Sequence, residues 1–111
     1  MTEQREILLI PFPFSDQSGR KIRPVIVVSN NEFNKYSEDV IVVGATSNLI
    51  KNKYSINLSN SDLEFGNLLT PCLIKVDNLL RLDKELIIKR IGKINKEKLQ
   101  NIRQVLDNLL S

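Results

Sequence analysis

The apolar residues of this chain are arranged in short runs separated by polar segments. Runs rich in β-branched residues and bounded by Gly, Pro, Asn or Ser are typical of strands. They predict strands at residues 7–10, 24–28, 40–46, 54–58, 71–77 and 86–91, whereas residues 63–69 fit either a strand or a loop. This succession predicts a mainly β fold, a barrel or a sandwich.

One segment has helical periodicity. Asn95 is a suitable N-cap, and the apolar residues after it recur every three or four positions: Leu99, Ile102, Leu106 and Leu109. We expect this C-terminal helix to pack on the sheet, and a partner-binding helix is the alternative. A single helical turn is expected around residues 32–34.

The composition fits one globular domain over residues 1–111. Aromatic residues are only 5% of the chain, which argues against a module that binds nucleic acid mainly by base stacking. Histidine is absent, which excludes histidine bases, Ser-His-Asp triads and histidine-containing zinc sites. We expect no metal and no cofactor. Cys72 is the single cysteine and lies among apolar residues, so we expect a core thiol in a reducing, cytoplasmic environment. No apolar run approaches the roughly 20 residues of a membrane-spanning helix.

The net charge of +3 favours anionic partners only weakly, because solubility explains it equally well. The most concentrated positive charge is at Arg20, Lys21 and Arg23. Since Pro24 follows, the Arg23 backbone is biased to an extended conformation, and its guanidinium is suited to a bidentate phosphate contact. A solvated loop with a salt bridge at its rim is the alternative.

Two further segments carry candidate chemistry. Thr46 and Ser47 follow a buried strand, where hydroxyls donate hydrogen bonds to phosphate or simply form a turn. Lys75 and Asp77 are two residues apart on a predicted strand, so we expect them on one face. They fit either a proton acceptor beside a cation or an ordinary ion pair.

Taken in order, these segments resemble the MazF/PemK family of toxin ribonucleases. The resemblance covers a first strand ending in Phe-Pro-Phe-Ser, a polar loop into Arg23-Pro24, a strand closing in Ala-Thr-Ser, Lys75-Val76-Asp77 and the segment 81–84. It implies an SH3-like barrel with a C-terminal helix, a homodimer, sequence-specific and metal-independent cleavage of single-stranded RNA, and an antitoxin that binds through an extended acidic segment.

The resemblance also implies site residues. Arg23 matches the catalytic arginine and Thr46 the active-site threonine, while Lys75 and Asp77 match an arginine–aspartate pair of some members. We expect Arg23, Thr46 and Asp77 to be catalytic, with Asp77 as the base. The expected RNA-binding residues are Gln17, Ser18, Gly19, Arg20, Lys21, Ser47, Lys51, Lys53 and Lys75. Two positions and one loop depart from the family pattern: Lys75 replaces an arginine, Arg5 replaces a frequent glycine, and the loop reads Asp-Gln-Ser-Gly-Arg.

Two alternatives stay open at this point. A catalytically inactive RNA-binding or regulatory module on the same fold is one, since Lys75 loses the bidentate contact of an arginine. A gyrase poison of the CcdB type is the other, although such toxins act through a C-terminal Trp-Gly-Ile and this chain ends in Leu-Leu-Ser.

Overall fold

The computed structural model describes residues 1–11 and 22–111. Seven strands form one antiparallel sheet in the order β4-β6-β3-β2-β1-β7-β5. Their bounds are β1 Glu6–Pro11, β2 Ile22–Val27, β3 Asp39–Thr46, β4 Ser55–Leu58, β5 Leu63–Gly66, β6 Cys72–Asp83 and β7 Lys89–Ile94. The helices are α1 Asn31–Tyr36 and α2 Lys96–Leu110. The sheet curls into a half-barrel with a C-terminal helix, which confirms the predicted SH3-like barrel.

The two faces of the sheet bury separate apolar clusters, as expected of strands whose side chains alternate between faces. The first cluster includes Ile26, Val43 and Ile74, and Ile102 of α2 belongs to it. Leu99, Val105 and Leu106 pack around it, so the predicted contact between helix and sheet is confirmed. The second cluster consists of Leu8, Ile10, Val25, Val27, Val40, Val42 and Leu82.

The helix boundaries follow their capping residues. The Asn95 side chain accepts a hydrogen bond from the backbone N–H of Lys98, which confirms the predicted N-cap. Asn30 caps α1 in the same way through the N–H of Phe33. Asn34 of α1 is fully buried, and its side-chain amide donates to the carbonyl of Ser29, so a polar contact anchors this short helix.

Two strands differ from the prediction. The last strand begins at Lys89 and continues through Gly92 to Ile94, whereas the sequence predicts a strand at residues 86–91. The reason is tertiary, because Gly92 pairs with Gly66 and a Cβ there would lie 2.9 Å from the Phe65 carbonyl oxygen. The sixth strand extends to Asp83 because its second half pairs with β3 beyond a register shift.

In the part of the chain that the structure describes, no helix is both long and apolar enough to cross a membrane.

Candidate active site

Arg23 and Thr46 lie at adjacent ends of two paired strands. In the β2–β3 pair Val25 is opposite Gly44, and continuing this register by two residues places Arg23 opposite Thr46. Side chains opposite each other in an antiparallel pair share one face of the sheet. The guanidinium Nη1 of Arg23 donates to Thr46 Oγ1 over 3.1 Å. Sheet pairing thus brings together two side chains 23 residues apart in sequence.

The Thr46 hydroxyl is oriented by a second contact. Its oxygen also accepts a hydrogen bond of 3.1 Å from the backbone N–H of Asn48. A hydroxyl has two acceptor lone pairs and a single hydrogen. Because Arg23 and Asn48 both donate to the oxygen, the hydrogen is left to donate to another acceptor. The Thr46 hydroxyl can therefore donate a hydrogen bond to an acceptor that binds next to it.

A cavity of about 380 Å³ opens beside this hydrogen bond. Its described lining comes from β2, β3, β6 and the segment after β3: Arg23, Pro24, Val25, Gly44, Ala45, Thr46, Asn48, Ile50, Lys75 and Asn78. The charged members of this described lining, Arg23 and Lys75, are both cations. The cavity is accordingly suited to an anionic group such as a phosphate.

The register shift between β3 and β6 separates Lys75 from Asp77. Lys75 is opposite Gly44 and lines the cavity. The next residue of β6 that pairs with β3 is Leu79, so residues 76–78 lie in the shifted segment. Asp77 is exposed, accepts a hydrogen bond of 3.3 Å from the Asn52 side chain, and is not among the described residues that line the cavity.

Asn78 is a lining residue that our sequence reasoning missed. Its side chain lies over Gly44, where an added Cβ would be only 2.5 Å from Asn78 Nδ2. The sequence does carry a signal, since Gly44 interrupts a run of buried β-branched residues, and a glycine in a strand often marks a close approach. What approaches it is decided by the register shift in β6.

Comparison with known proteins identifies the family. Residues 3–110 match the family model described as the PemK-like, MazF-like toxin of type II toxin–antitoxin systems. The chain belongs to this family. Among curated relatives, proteins named Endoribonuclease MazF from Staphylococcus saprophyticus and Staphylococcus epidermidis are each 27% identical over 99 residues. Each match covers 89% of this chain and 80% of the relative.

Solved structures share the fold of this MazF-like toxin. An endoribonuclease from a mycobacterial species, in complex with its cognate antitoxin, has a TM-score of 0.80 at 20% identity. The match covers 99% of this chain and 95% of the mycobacterial chain. MazF in a MazE–MazF crystal structure from Deinococcus radiodurans has a TM-score of 0.76 at 17% identity, with coverage of 98% and 95%.

A second cavity of the toxin, about 850 Å³ in volume, also borders the Arg23–Thr46 contact. It shares with the first cavity Arg23, Pro24, Ala45, Thr46 and Asn48. The rest of its described lining comes from β1, from the ends of β2, β3 and β6, from the β5–β6 connection and from β7. These residues are Leu9, Ile22, Ser47, Asn67, Leu68, Leu69, Thr70, Cys72, Lys89 and Ile91.

The other predicted RNA-binding residues of the toxin are distributed as follows. Ser47 lines the second cavity. Lys51 and Lys53 are exposed in the segment between β3 and β4, and Lys53 Nζ lies 5.8 Å from the centre of the Tyr54 ring. Gln17, Ser18, Gly19, Arg20 and Lys21 lie outside the described residues. Across residues 1–11 and 22–111, no three His, Cys, Asp or Glu side chains are grouped as a metal site.

The Cys72 thiol is buried, as the sequence predicts, with 7% of the residue exposed. Burial raises the pKa of this thiol, because the charged thiolate is poorly solvated there. The neutral thiol donates to the carbonyl oxygen of Thr70 over 3.5 Å. Since the thiolate is the nucleophilic form, Cys72 is a poor nucleophile although it lines the second cavity.

Proposed function

We propose that this toxin cuts single-stranded RNA internally, at short sequence motifs and without a metal ion, leaving 2′,3′-cyclic phosphate and 5′-hydroxyl ends. Its class, an endoribonuclease, follows from family membership and from the curated relatives named Endoribonuclease MazF. The observation that carries the proposal is the hydrogen bond between Arg23 and Thr46 at the wall of a cation-lined cavity.

In the proposed reaction the ribose 2′-oxygen attacks the adjacent phosphorus. The 2′-hydroxyl proton goes to a base, the O2′–P bond forms, the P–O5′ bond breaks, and a proton is delivered to O5′. Negative charge develops on the non-bridging oxygens during this displacement. Fixed donors aimed at such charge often make the largest single contribution to catalysis.

Arg23 and Thr46 have the donors that this step needs. The guanidinium offers fixed N–H groups to the phosphate, and we assign it the stabilisation of the phosphorane and delivery of the proton to O5′. The Thr46 hydrogen, which neither Arg23 nor Asn48 uses, would bind a non-bridging oxygen. A guanidinium holds its proton too tightly to be the base. Asp77 therefore stays our candidate base. It would act from the exposed, shifted segment of β6, because it does not lie in the described wall of the cavity.

The same charges support the proposed antitoxin. The charged members of the described lining of the two cavities are Arg23, Lys75 and Lys89, all cations. An extended acidic segment laid over them would compete with RNA for the same side chains. We propose that such an antitoxin binds this toxin, and the antitoxin-bound solved relatives support this proposal. We also propose that the toxin acts as a homodimer in the cytoplasm.

The test incubates purified protein with a long single-stranded RNA in excess EDTA. We expect cleavage whose 3′ fragments accept label from a polynucleotide kinase without prior phosphatase treatment, as 5′-hydroxyl ends do. Arg23→Ala should lower the rate on the order of 10²–10³-fold, the typical cost of removing one such donor. Arg103→Ala, an exposed cation on α2, is the matched control and should cleave normally.

Other outcomes would replace the proposal. RNA binding by the wild type without cleavage supports the inactive module, and neither binding nor cleavage supports the gyrase poison. Near-normal cleavage by a folded Arg23→Ala protein would refute the assignment of the site. Loss of cleavage in EDTA, restored by added divalent cations, would refute metal independence alone.

A further inference from the structure

The second cavity has no assigned role in the reaction proposed above. It borders the Arg23–Thr46 contact, with Asn67 and Leu69 of the β5–β6 connection and Lys89 of β7 among its other lining residues. An RNA strand whose scissile phosphate lies at Arg23 and Thr46 has a nucleoside on each side of that phosphate. The 380 Å³ cavity and the 850 Å³ cavity both border this contact, so each offers space for one of these nucleosides.

The β5–β6 connection is held in place by its backbone. The N–H of Asn67 donates to the carbonyl of Ile91 over 3.2 Å, and the N–H of Leu68 donates to Asn60 Oδ1 over 2.7 Å. The Leu68 side chain is buried with 6% exposed, which anchors the connection to the core. Residues held in this way are preorganised, so binding costs them little further ordering.

The Asn67 side chain is available for recognition. Its backbone is fixed, yet its amide makes no hydrogen bond to any side chain or backbone group within residues 1–11 and 22–111. A carboxamide presents an acceptor and two donors, which complement the edge of a nucleobase. No acid lines the described part of this cavity, so nothing there repels the RNA backbone.

The remaining lining fits the other parts of a nucleotide. Leu9, Ile91 and the fully exposed Leu69 offer apolar contact to the face of a base. Lys89 is exposed and forms no ion pair with any described residue, so its ammonium is available to the next phosphate. An amide, an apolar wall and an exposed cation around one cavity are the complement of a single nucleotide.

We propose that the second cavity binds the nucleobase directly beside the scissile phosphate and that Asn67 reads its edge. This inference rests on the proposed function and deepens it, because it names a residue that determines the cleavage motif. Lys89 would contact the adjoining phosphate and would act on all sequences alike.

The experiment maps cleavage sites on a long RNA, then measures rates on short RNAs in which each position beside the cut is varied through all four bases. Asn67→Ala should reduce discrimination about 10- to 100-fold at the one position adjacent to the cut, the range expected of one amide–base contact. Asn67→Asp removes the donors and should move the preference toward a base that offers a donor, as cytosine does. Lys89→Ala should weaken binding of every sequence and flatten its salt dependence.

Asn108→Ala and Lys96→Ala are the matched controls, since both residues are exposed on α2 away from the cavities. Both should retain the wild-type motif. An unchanged motif and unchanged discrimination in Asn67→Ala would overturn the inference while leaving the proposed function intact, as would a change at a position remote from the cut. Were the wild type to leave RNA intact, the proposed function would fail instead. The same RNA panel, measured by binding, would then decide the role of Asn67.

Discussion

Asn78 occupies the space above Gly44 that a larger residue would fill. An added Cβ at Gly44 would lie 2.5 Å from Asn78 Nδ2, which is too close for both to stay. Because that atom is the free end of a flexible side chain, it can move away at little cost. Gly44 is therefore what admits the Asn78 amide to the cavity wall beside Arg23.

This relationship predicts the behaviour of Gly44→Ala. We expect the free energy of unfolding to fall by about 1 kcal/mol or less, while cleavage falls to the level of Asn78→Ala, since both variants remove the amide from the cavity. Chemical denaturation and cleavage rates measure the two effects. In the double variant the two losses of activity should not add. Full activity in a folded Gly44→Ala protein would show that the Asn78 amide is dispensable.

Substitution of Thr46 tests the orientation of its hydroxyl. Thr46→Val removes the hydroxyl oxygen that accepts from the Arg23 guanidinium and from the Asn48 N–H, and it removes the donor to the phosphate. We expect a rate loss on the order of 10²–10³-fold. Thr46→Ser keeps the hydroxyl and should recover most of this loss. Single-turnover cleavage rates separate the chemical step from RNA binding. Equal rate losses in Thr46→Val and Thr46→Ser would instead argue that the methyl group has a packing role.

Asp77→Asn tests the candidate base. General-base catalysis contributes typically 10²–10⁴-fold, so we expect a rate loss in that range with RNA affinity unchanged. The matched control is Asp107→Asn on the exposed side of α2. A loss of only a few-fold would assign the base elsewhere.

The Cys72 thiol should react slowly in the folded protein. Its pKa is raised by burial, so the thiolate fraction at neutral pH is lower than for an exposed cysteine. Alkylation should be much faster in denaturant than in buffer, and the rate in buffer should keep rising with pH beyond the range where a free thiol levels off. Rapid modification of the native protein at neutral pH would contradict this.

Arg5 combines a strained backbone with compensating contacts. Its φ of +79° lies in the left-handed region, and its Nη1 donates to Glu64 over 2.7 Å and to the carbonyl of Ile94 over 2.9 Å. Arg5→Ala keeps the strain and loses the contacts, whereas Arg5→Gly loses both. We therefore expect Arg5→Gly to be more stable than Arg5→Ala by about 1 kcal/mol. Urea unfolding of both variants measures this, and equal stability would mean that the backbone strain is relieved elsewhere.

Local signals in the sequence determined much of the fold. Strands 7–10, 24–28 and 40–46 and the helix capped by Asn95 all lie where the apolar pattern predicts them. The reason is that side-chain alternation and capping act over a few residues. The predicted boundaries of the sixth and seventh strands are wrong, because pairing with a distant strand decides how long each of them is.

The composition also limits the residue types available for chemistry: without histidine, the candidates are Arg23, Thr46, Lys75 and Asp77. Which of these side chains lie in contact depends on how distant strands pair. The β2–β3 register joins Arg23 to Thr46, and the shift in β6 brings Asn78 to the cavity wall in preference to Asp77. A register is fixed by the sum of many cross-strand contacts between distant segments, so no local pattern specifies which side chain it delivers.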